Sequence, residues 1–183
     1  MLILLDQDGV LADFERGVHE AWQHRYGCAA PIASERTHFY VRDDMPPESH
    51  QQLVDLYSSA GFFEHLPPKA GAIAAVQALL EAGHDVRICT APINQYRNCV
   101  AEKIAWAEQH LGAEWLHRII LTKDKTWVRG DILIDDKPTI HGSLAPTWQH
   151  WLYDAPYNRH LNHTRRIDWL QPESWQSLLR QTP

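Results

Sequence analysis

Short apolar runs, each closed by a polar residue of a particular kind, recur along this chain. Leu2-Ile3-Leu4-Leu5 runs into Asp6, Val86-Arg87-Ile88-Cys89 into Thr90, Arg118-Ile119-Ile120-Leu121 into Thr122-Lys123, and Ile132-Leu133-Ile134 into Asp135-Asp136. Near-continuous apolar runs of this length suit strands covered on both faces. Between them the apolar positions change to helical spacing. Ala70 to Ala82 carries Ile73, Val76, Leu79 and Leu80 and stops at Gly83; Gln95 to Leu111 repeats the pattern with Val100, Ile104, Ala107 and Leu111 before Gly112. Glycine just past the last periodic residue is a helix C-terminal signal. A further strand is predicted over His150 to Tyr153 and a last helix over Pro172 to Arg180. Strands alternating with helices at this spacing predict an α/β fold on a mainly parallel sheet with helices on both faces.

The stretch between Asp13 and Pro67 breaks the alternation. Its helical patterns lie near Phe14 to Tyr26 and Glu48 to Ala60, and it holds no buried strand pattern. At about fifty residues it is far longer than a plain βα connection, so it reads as a small helical cap inserted after the first strand. The expected division is a core of residues 1–13 plus 68–183 and a cap of residues 14–67, with Pro67-Pro68 and Gly71 marking the return. Asp13 is placed to cap the first cap helix. Phe14, Trp22, Tyr26, Phe39, Tyr40, Tyr57, Phe62 and Phe63 make the cap rich in aromatics, enough for a small core of its own.

Composition narrows the function classes. The chain has 183 residues, 44% hydrophobic and 22% charged, which fits one globular domain with an insertion and excludes disorder. Lys+Arg 17 against Asp+Glu 23 gives a net charge of −6, which argues against a binder of long nucleic acid, because such affinity needs a basic face. The one dense basic cluster, Arg159 with Arg165 and Arg166, reads as solvated surface. Cys28, Cys89 and Cys99 are odd in number and lack metal-ligand spacing, which suits a reducing compartment. The opening apolar stretch is four residues, too short for a signal peptide or a membrane span, so the expected location is cytoplasmic with no membrane partner.

Ligands of open parallel sheets bind outside the carboxyl ends of the strands. Those ends here collect Asp6, Asp8, Thr90, Lys123, Lys125, Asp135 and Asp136 from positions spread over the chain. Half of this set suits a metal and half a phosphate. Hard divalent cations such as Mg²⁺ take carboxylate and carbonyl oxygens, available from Asp6, the Asp135-Asp136 pair and the Asp8 carbonyl. Thr90 offers a hydroxyl and Lys125 a point charge for a phosphoryl group. With a cation and a lysine to neutralise the carboxylates, Asp6 can act as a nucleophile on phosphorus.

The same residues make a family resemblance. Asp6-Gln7-Asp8-Gly9-Val10-Leu11-Ala12-Asp13-Phe14 resembles the first motif of the haloacid dehalogenase-like (HAD) phosphohydrolases, and Ile88-Cys89-Thr90-Ala91-Pro92, Leu121 to Thr126 and Leu133 to Pro138 resemble the others. The Asp-Gly-Val-Leu-Ala-Asp-Phe string, Phe62-Phe63-Glu64, Lys103-x-x-Trp106 and Asp124-Lys125-Thr126 are similar to the 5'(3')-deoxyribonucleotidases, from Met1 to at least Trp151. The resemblance implies a Rossmann-like (HAD-like) core and a phosphatase that cleaves a small phosphate ester, a nucleoside monophosphate, through an aspartyl-phosphate. It implies Asp6 as nucleophile, Asp8 as acid and base, and Mg²⁺ on the Asp6 side chain, the Asp8 carbonyl and Asp136. Thr90, the backbone at Ala91 and Lys125 are implied to grip phosphate. Asp135 is implied to orient Lys125 or a water on the metal, and which member of the 135–136 pair touches the metal is left open. A base pocket is implied at Phe14, Phe39, Tyr40, Val41, Tyr57, Ile93 and Asn94. The sequence departs from the vertebrate pattern at Ala91, where serine is usual, at Tyr40 and Tyr57, which replace tryptophans, and at Asn94 and Lys123, which replace more basic residues. A homodimer is an assembly the chain could form.

Other features carry less. His160 and His163 have close spacing but lie away from the acidic motifs. Trp106, Trp127, Trp148 and Trp151 are expected to pack on the sheet. A phospho-accepting receiver domain also uses acids, a threonine and a lysine, but its acidic pair follows the first strand and its acceptor a middle one, the reverse of the order here. The remaining alternatives are a phosphatase for a non-nucleotide ester and a non-catalytic protein on the same scaffold.

Overall fold

The computed structural model describes residues 1–180. In chain order its elements are β1 (Leu2–Leu5), α1 (Phe14–Tyr26), α2 (His50–Tyr57), α3 (Ala72–Glu81), β2 (Asp85–Thr90), α4 (Cys99–Leu111), β3 (Ile119–Leu121), β4 (Ile132–Asp135), β5 (Gln149–Tyr153), β6 (Arg166–Ile167) and α5 (Pro172–Leu179). The strands form one six-stranded sheet in the order β3-β2-β1-β4-β5-β6, and every neighbouring pair is parallel. The chain winds outward from β1 through β2 to β3, then returns to the other side of β1 for β4 onward. The reversal falls between β1 and β4, the place where such sheets open a crevice at their carboxyl ends.

Alternation along each strand sorts its side chains to two faces. Ile3, Leu5, Val86, Ile88, Ile132 and Ile134 face a core that also takes the buried apolar residues of all five helices. Leu4, Cys89 and Leu133 face the other way, against Trp148, Val128 and Ile140, so loop side chains cover this second face. The apolar residues of residues 14–67, among them Val18, Trp22, Leu53, Leu56, Phe62 and Phe63, are continuous with the main core rather than separate from it.

Local signals explain the element ends. The Asp13 side chain accepts the Arg16 N–H, and Gly27 follows Tyr26 in the left-handed region at φ 71°, so α1 starts and stops where its caps dictate. Helix α2 is shorter than the expected Glu48 to Ala60, because Pro47–Ser49 forms a separate tight turn before it. Helix α4 begins at Cys99 rather than Gln95, and Val100, expected inside, is 39% exposed. Strand β6 is an addition: two residues with no apolar run, recruited by pairing with Leu152 and Tyr153. Among the described residues, no helix is long and apolar enough to cross a membrane.

Candidate active site

Asp6 stands one residue past β1, its N–H donating to the Ile134 carbonyl at 2.9 Å, so the loop that begins at Asp6 is tied to β4. Leu11 and Ala12 both donate to the Gln7 carbonyl, at 2.9 and 2.8 Å, which curls the loop back on itself. Gly9 makes that curl possible. Its φ is +80°, and a Cβ there would lie 1.9 Å from Asp136 Oδ2, so both backbone and space require glycine.

Two lysines organise the carboxylates. Lys125 Nζ lies 2.9 Å from Asp6 Oδ1 and 2.6 Å from Asp135 Oδ2. Lys103 Nζ, fully buried, donates to Asp8 Oδ2 at 2.6 Å and to Thr90 Oγ1 at 3.1 Å. The Lys103 carbonyl also accepts from Gln7 Nε2 at 3.0 Å, so α4 holds the Asp6–Asp8 loop at two points. Asp6 Oδ1 accepts the Gln7 N–H at 2.8 Å, which fixes the carboxylate plane.

Electrostatics follow from this crowding. Burial raises the Asp6 carboxyl above its usual range despite Lys125, and burial raises Asp8 despite Lys103. Asp136 is raised well above the normal range by burial and then by the charges of Asp135 and Asp6. Burial opposes the charge on Lys125, but Asp135 and Asp6 together outweigh it and hold the ammonium form firmly. Three acidic groups with one shared lysine are short of positive charge.

A divalent cation fits that shortage. Asp6, Asp135 and Asp136 present oxygens that all lie within 4.8 Å of one another. Both Asp135 oxygens are engaged, Oδ2 by Lys125 and Oδ1 by the Lys137 N–H at 2.9 Å. Asp136 Oδ2 accepts the Tyr157 hydroxyl, whereas Asp136 Oδ1 is buried without a hydrogen-bond partner. A buried carboxylate oxygen left open costs free energy unless something positive meets it, and an all-oxygen donor set suits a hard cation.

All fourteen sequence-predicted site residues line one cleft of about 520 Å³: Asp6, Asp8, Thr90, Ala91, Lys125, Asp135 and Asp136 with Phe14, Phe39, Tyr40, Val41, Tyr57, Ile93 and Asn94. Lys123 reaches across to the Pro92 carbonyl and ties the β3 end to the turn after β2. Sequence reasoning missed Lys103, Tyr157 and Arg36 as site residues. Lys103 had a signal, since it stands at helical spacing from Cys99 and Trp106 on a face that must be buried. Tyr157 and Arg36 lie in irregular segments and had none.

Two peripheral expectations are corrected. Trp106, Trp148 and Trp151 are buried as expected, but Trp127 is 66% exposed, because its neighbour Thr126 takes the inward position. Arg166 is not free surface: it donates to Asp154 Oδ1 at 3.1 Å and to the Asn158 carbonyl at 2.9 Å, fastening the turn that carries Tyr157. His160 and His163 join no three-ligand cluster among the described residues.

Comparison with known proteins places the chain in two steps. By fold it shares the Rossmann-like α/β architecture of solved HAD-like hydrolases. A HAD family hydrolase from Deinococcus radiodurans R1, solved with bound phosphate and sodium, superposes with a TM-score of 0.55 at 18% identity, over 100% of this chain and 98% of that one. A haloacid dehalogenase-like hydrolase from Streptococcus pneumoniae gives 0.51 at 13% identity, over 96% and 97%. By sequence it is placed more narrowly. The family profile described as "5' nucleotidase, deoxy (Pyrimidine), cytosolic type C protein" matches residues 1–180. A Bordetella bronchiseptica protein that carries the 5'(3')-deoxyribonucleotidase name provisionally is 50% identical over 98% of this chain and 95% of its own length. The cytosolic-type 5'(3')-deoxyribonucleotidase of Homo sapiens is 39% identical over 97% of this chain and 92% of its own. The chain belongs to the 5'(3')-deoxyribonucleotidase family and is a phosphoric monoester hydrolase.

Proposed function

We propose that this protein hydrolyses deoxynucleoside or nucleoside monophosphates to nucleoside and phosphate, with Mg²⁺ at the carboxylate cluster and a covalent aspartyl-phosphate on Asp6. The observation that carries the reading is the pairing, in one cleft, of the Asp6-Lys125-Asp135 and Asp8-Lys103-Thr90 networks with an aromatic wall at Phe14, Phe39, Tyr40 and Tyr57. Stacking on aromatic rings tolerates different bases and contributes roughly 1–3 kcal/mol per base.

Asp6, the Asp8 carbonyl and Asp136 through its open Oδ1 would hold the cation, with Asp135 orienting Lys125. When bound there, Mg²⁺ supplies charge neutralisation for the phosphoryl oxygens. Asp6 attacks phosphorus in line, and the bond from phosphorus to the nucleoside oxygen breaks as the protonated Asp8 gives that oxygen its proton. Burial favours the neutral acid that this step needs. In the second half, Asp8 takes a proton from water, the water oxygen bonds to phosphorus, and the Asp6–phosphorus bond breaks to release phosphate. Lys125, the Thr90 hydroxyl and the backbone at Ala91 bind the phosphoryl oxygens. Residues 14–67 serve as a cap that presents the base pocket and excludes water from the reactive acyl phosphate. Three free cysteines support a cytoplasmic, reducing setting.

The test is phosphate release with Mg²⁺ across deoxy- and ribonucleoside 5'- and 3'-monophosphates and small phosphorylated metabolites. Nucleotides are expected to be the better substrates. Robust turnover of another ester with none on any nucleotide would overturn the reading.

A further inference from the structure

Arg36 is buried, its side chain 3% exposed, in a segment that contributes nothing to the sheet. Its guanidinium is used in every direction. Nε donates to Asp44 Oδ2 at 3.0 Å, Nη1 to Glu15 Oε2 at 3.1 Å, and Nη2 to the His38 and Phe39 carbonyls at 2.6 and 3.0 Å. Its Cζ stands 4.6 Å from the centroid of the Tyr157 ring. These partners belong to three separate pieces of chain: the first turn of α1, the segment 38–44, and the turn after β5 that carries Tyr157.

What Arg36 fastens matters for selectivity. The segment it holds presents Phe39, Tyr40 and Val41 to the cleft. The ring it covers belongs to the residue whose hydroxyl occupies Asp136 Oδ2, and Phe39 meets that ring edge-on at 5.9 Å. One guanidinium thus spans from the aromatic wall to the carboxylate cluster. A lysine could not replace it, because only a planar fork serves two carboxylates and two carbonyls while offering a face to a ring.

We propose that Arg36 is the positioning residue that holds the Phe39–Val41 wall in register with the phosphate site, so that the enzyme selects the base as well as the phosphate. The proposal rests on the nucleotidase reading of the cleft. Its test compares deoxyuridine 5'-monophosphate with 2-deoxyribose 5-phosphate, which has the same sugar and phosphate and no base. In Arg36→Gln and Arg36→Lys, kcat/KM for the nucleotide should fall roughly 10- to 100-fold, mostly through KM, as expected for lost stacking. The same parameter for the sugar phosphate should fall by a clearly smaller factor in both variants, several-fold or less, since Arg36 reaches the carboxylate cluster only indirectly, through the Tyr157 ring. Amide hydrogen exchange should speed up in residues 37–44 and stay unchanged in the sheet. A wild-type preference for the nucleotide retained in both variants, equal losses on both substrates, or unchanged exchange in residues 37–44 would each overturn the proposal. Wild-type protein that does not favour the nucleotide would overturn the nucleotidase reading and this inference with it.

Discussion

Helices α3 and α4 both pack on the same core, and their buried faces differ in kind. Helix α3 buries Ala72, Ala75, Val76 and Leu79. Helix α4 buries Cys99, Trp106 and Ala107 together with an adjacent acid and base, Glu102 and Lys103. The Glu102 carboxylate accepts the Gly61 N–H at 2.8 Å and the Phe63 N–H at 3.1 Å and is bonded by the Tyr96 hydroxyl. Lys103 turns to Asp8 and Thr90. Trp106 Nε1 donates to the Leu66 carbonyl at 2.7 Å, which fastens residues 61–66 at a further point. Helix α3 holds the sheet by burial, whereas α4 also holds two separate chain segments by directed bonds. Buried charge is costly unless fully partnered, and here every partner lies on a segment that lines or flanks the cleft.

If that contrast is right, the two helices should fail differently. Lys103→Met removes the cation beside Asp8 and should lower kcat by on the order of a hundredfold or more, with kcat following the loss of a placed acid and base. Leu79→Ala, at a fully buried position of α3, should cost about 2–5 kcal/mol of stability and leave kcat of the folded enzyme within about twofold. Denaturant titration and steady-state kinetics on both variants check the pair, and a stable α3 variant that is catalytically dead would break the comparison.

Glu102→Gln should have the smaller effect. It replaces one of the two acceptor oxygens with a donor that faces either the Gly61 or the Phe63 amide, a loss of about 1–3 kcal/mol. Because Phe63 lines the cleft, KM should rise several-fold while kcat changes less. A change in kcat larger than that in KM would place Glu102 with the chemistry rather than with the Gly61–Phe63 segment it holds.

The same contrast explains what could be read from the sequence. Strands β1, β2 and β4 were legible because burial on both faces forces continuous apolar runs, and the start of α1 because Asp13 marks it chemically. The strand-end residues Asp6, Thr90, Lys125 and Asp136 were legible because a parallel sheet brings such ends together wherever they lie in the chain. Helix α4 was misread at its start and on its buried face, since an apolar periodicity picks out Val100 and Ile104 and passes over Glu102 and Lys103, whose burial depends on partners distant in sequence. Arg36 and Tyr157 were invisible for a related reason: each sits in irregular chain, and their contact spans more than a hundred residues. Local pattern fails most at residues whose role is to hold something else in place.

In the proposed reaction Asp6 carries the phosphoryl group. Acid quenching during turnover of deoxyuridine 5'-monophosphate, borohydride reduction of the acyl phosphate and peptide mass spectrometry would locate it. Conversion of Asp6 to homoserine in the wild type, absent in Asp6→Asn together with turnover, is the predicted result. Turnover with no modification at Asp6, or modification at Asp8, Asp135 or Asp136 instead, would contradict it.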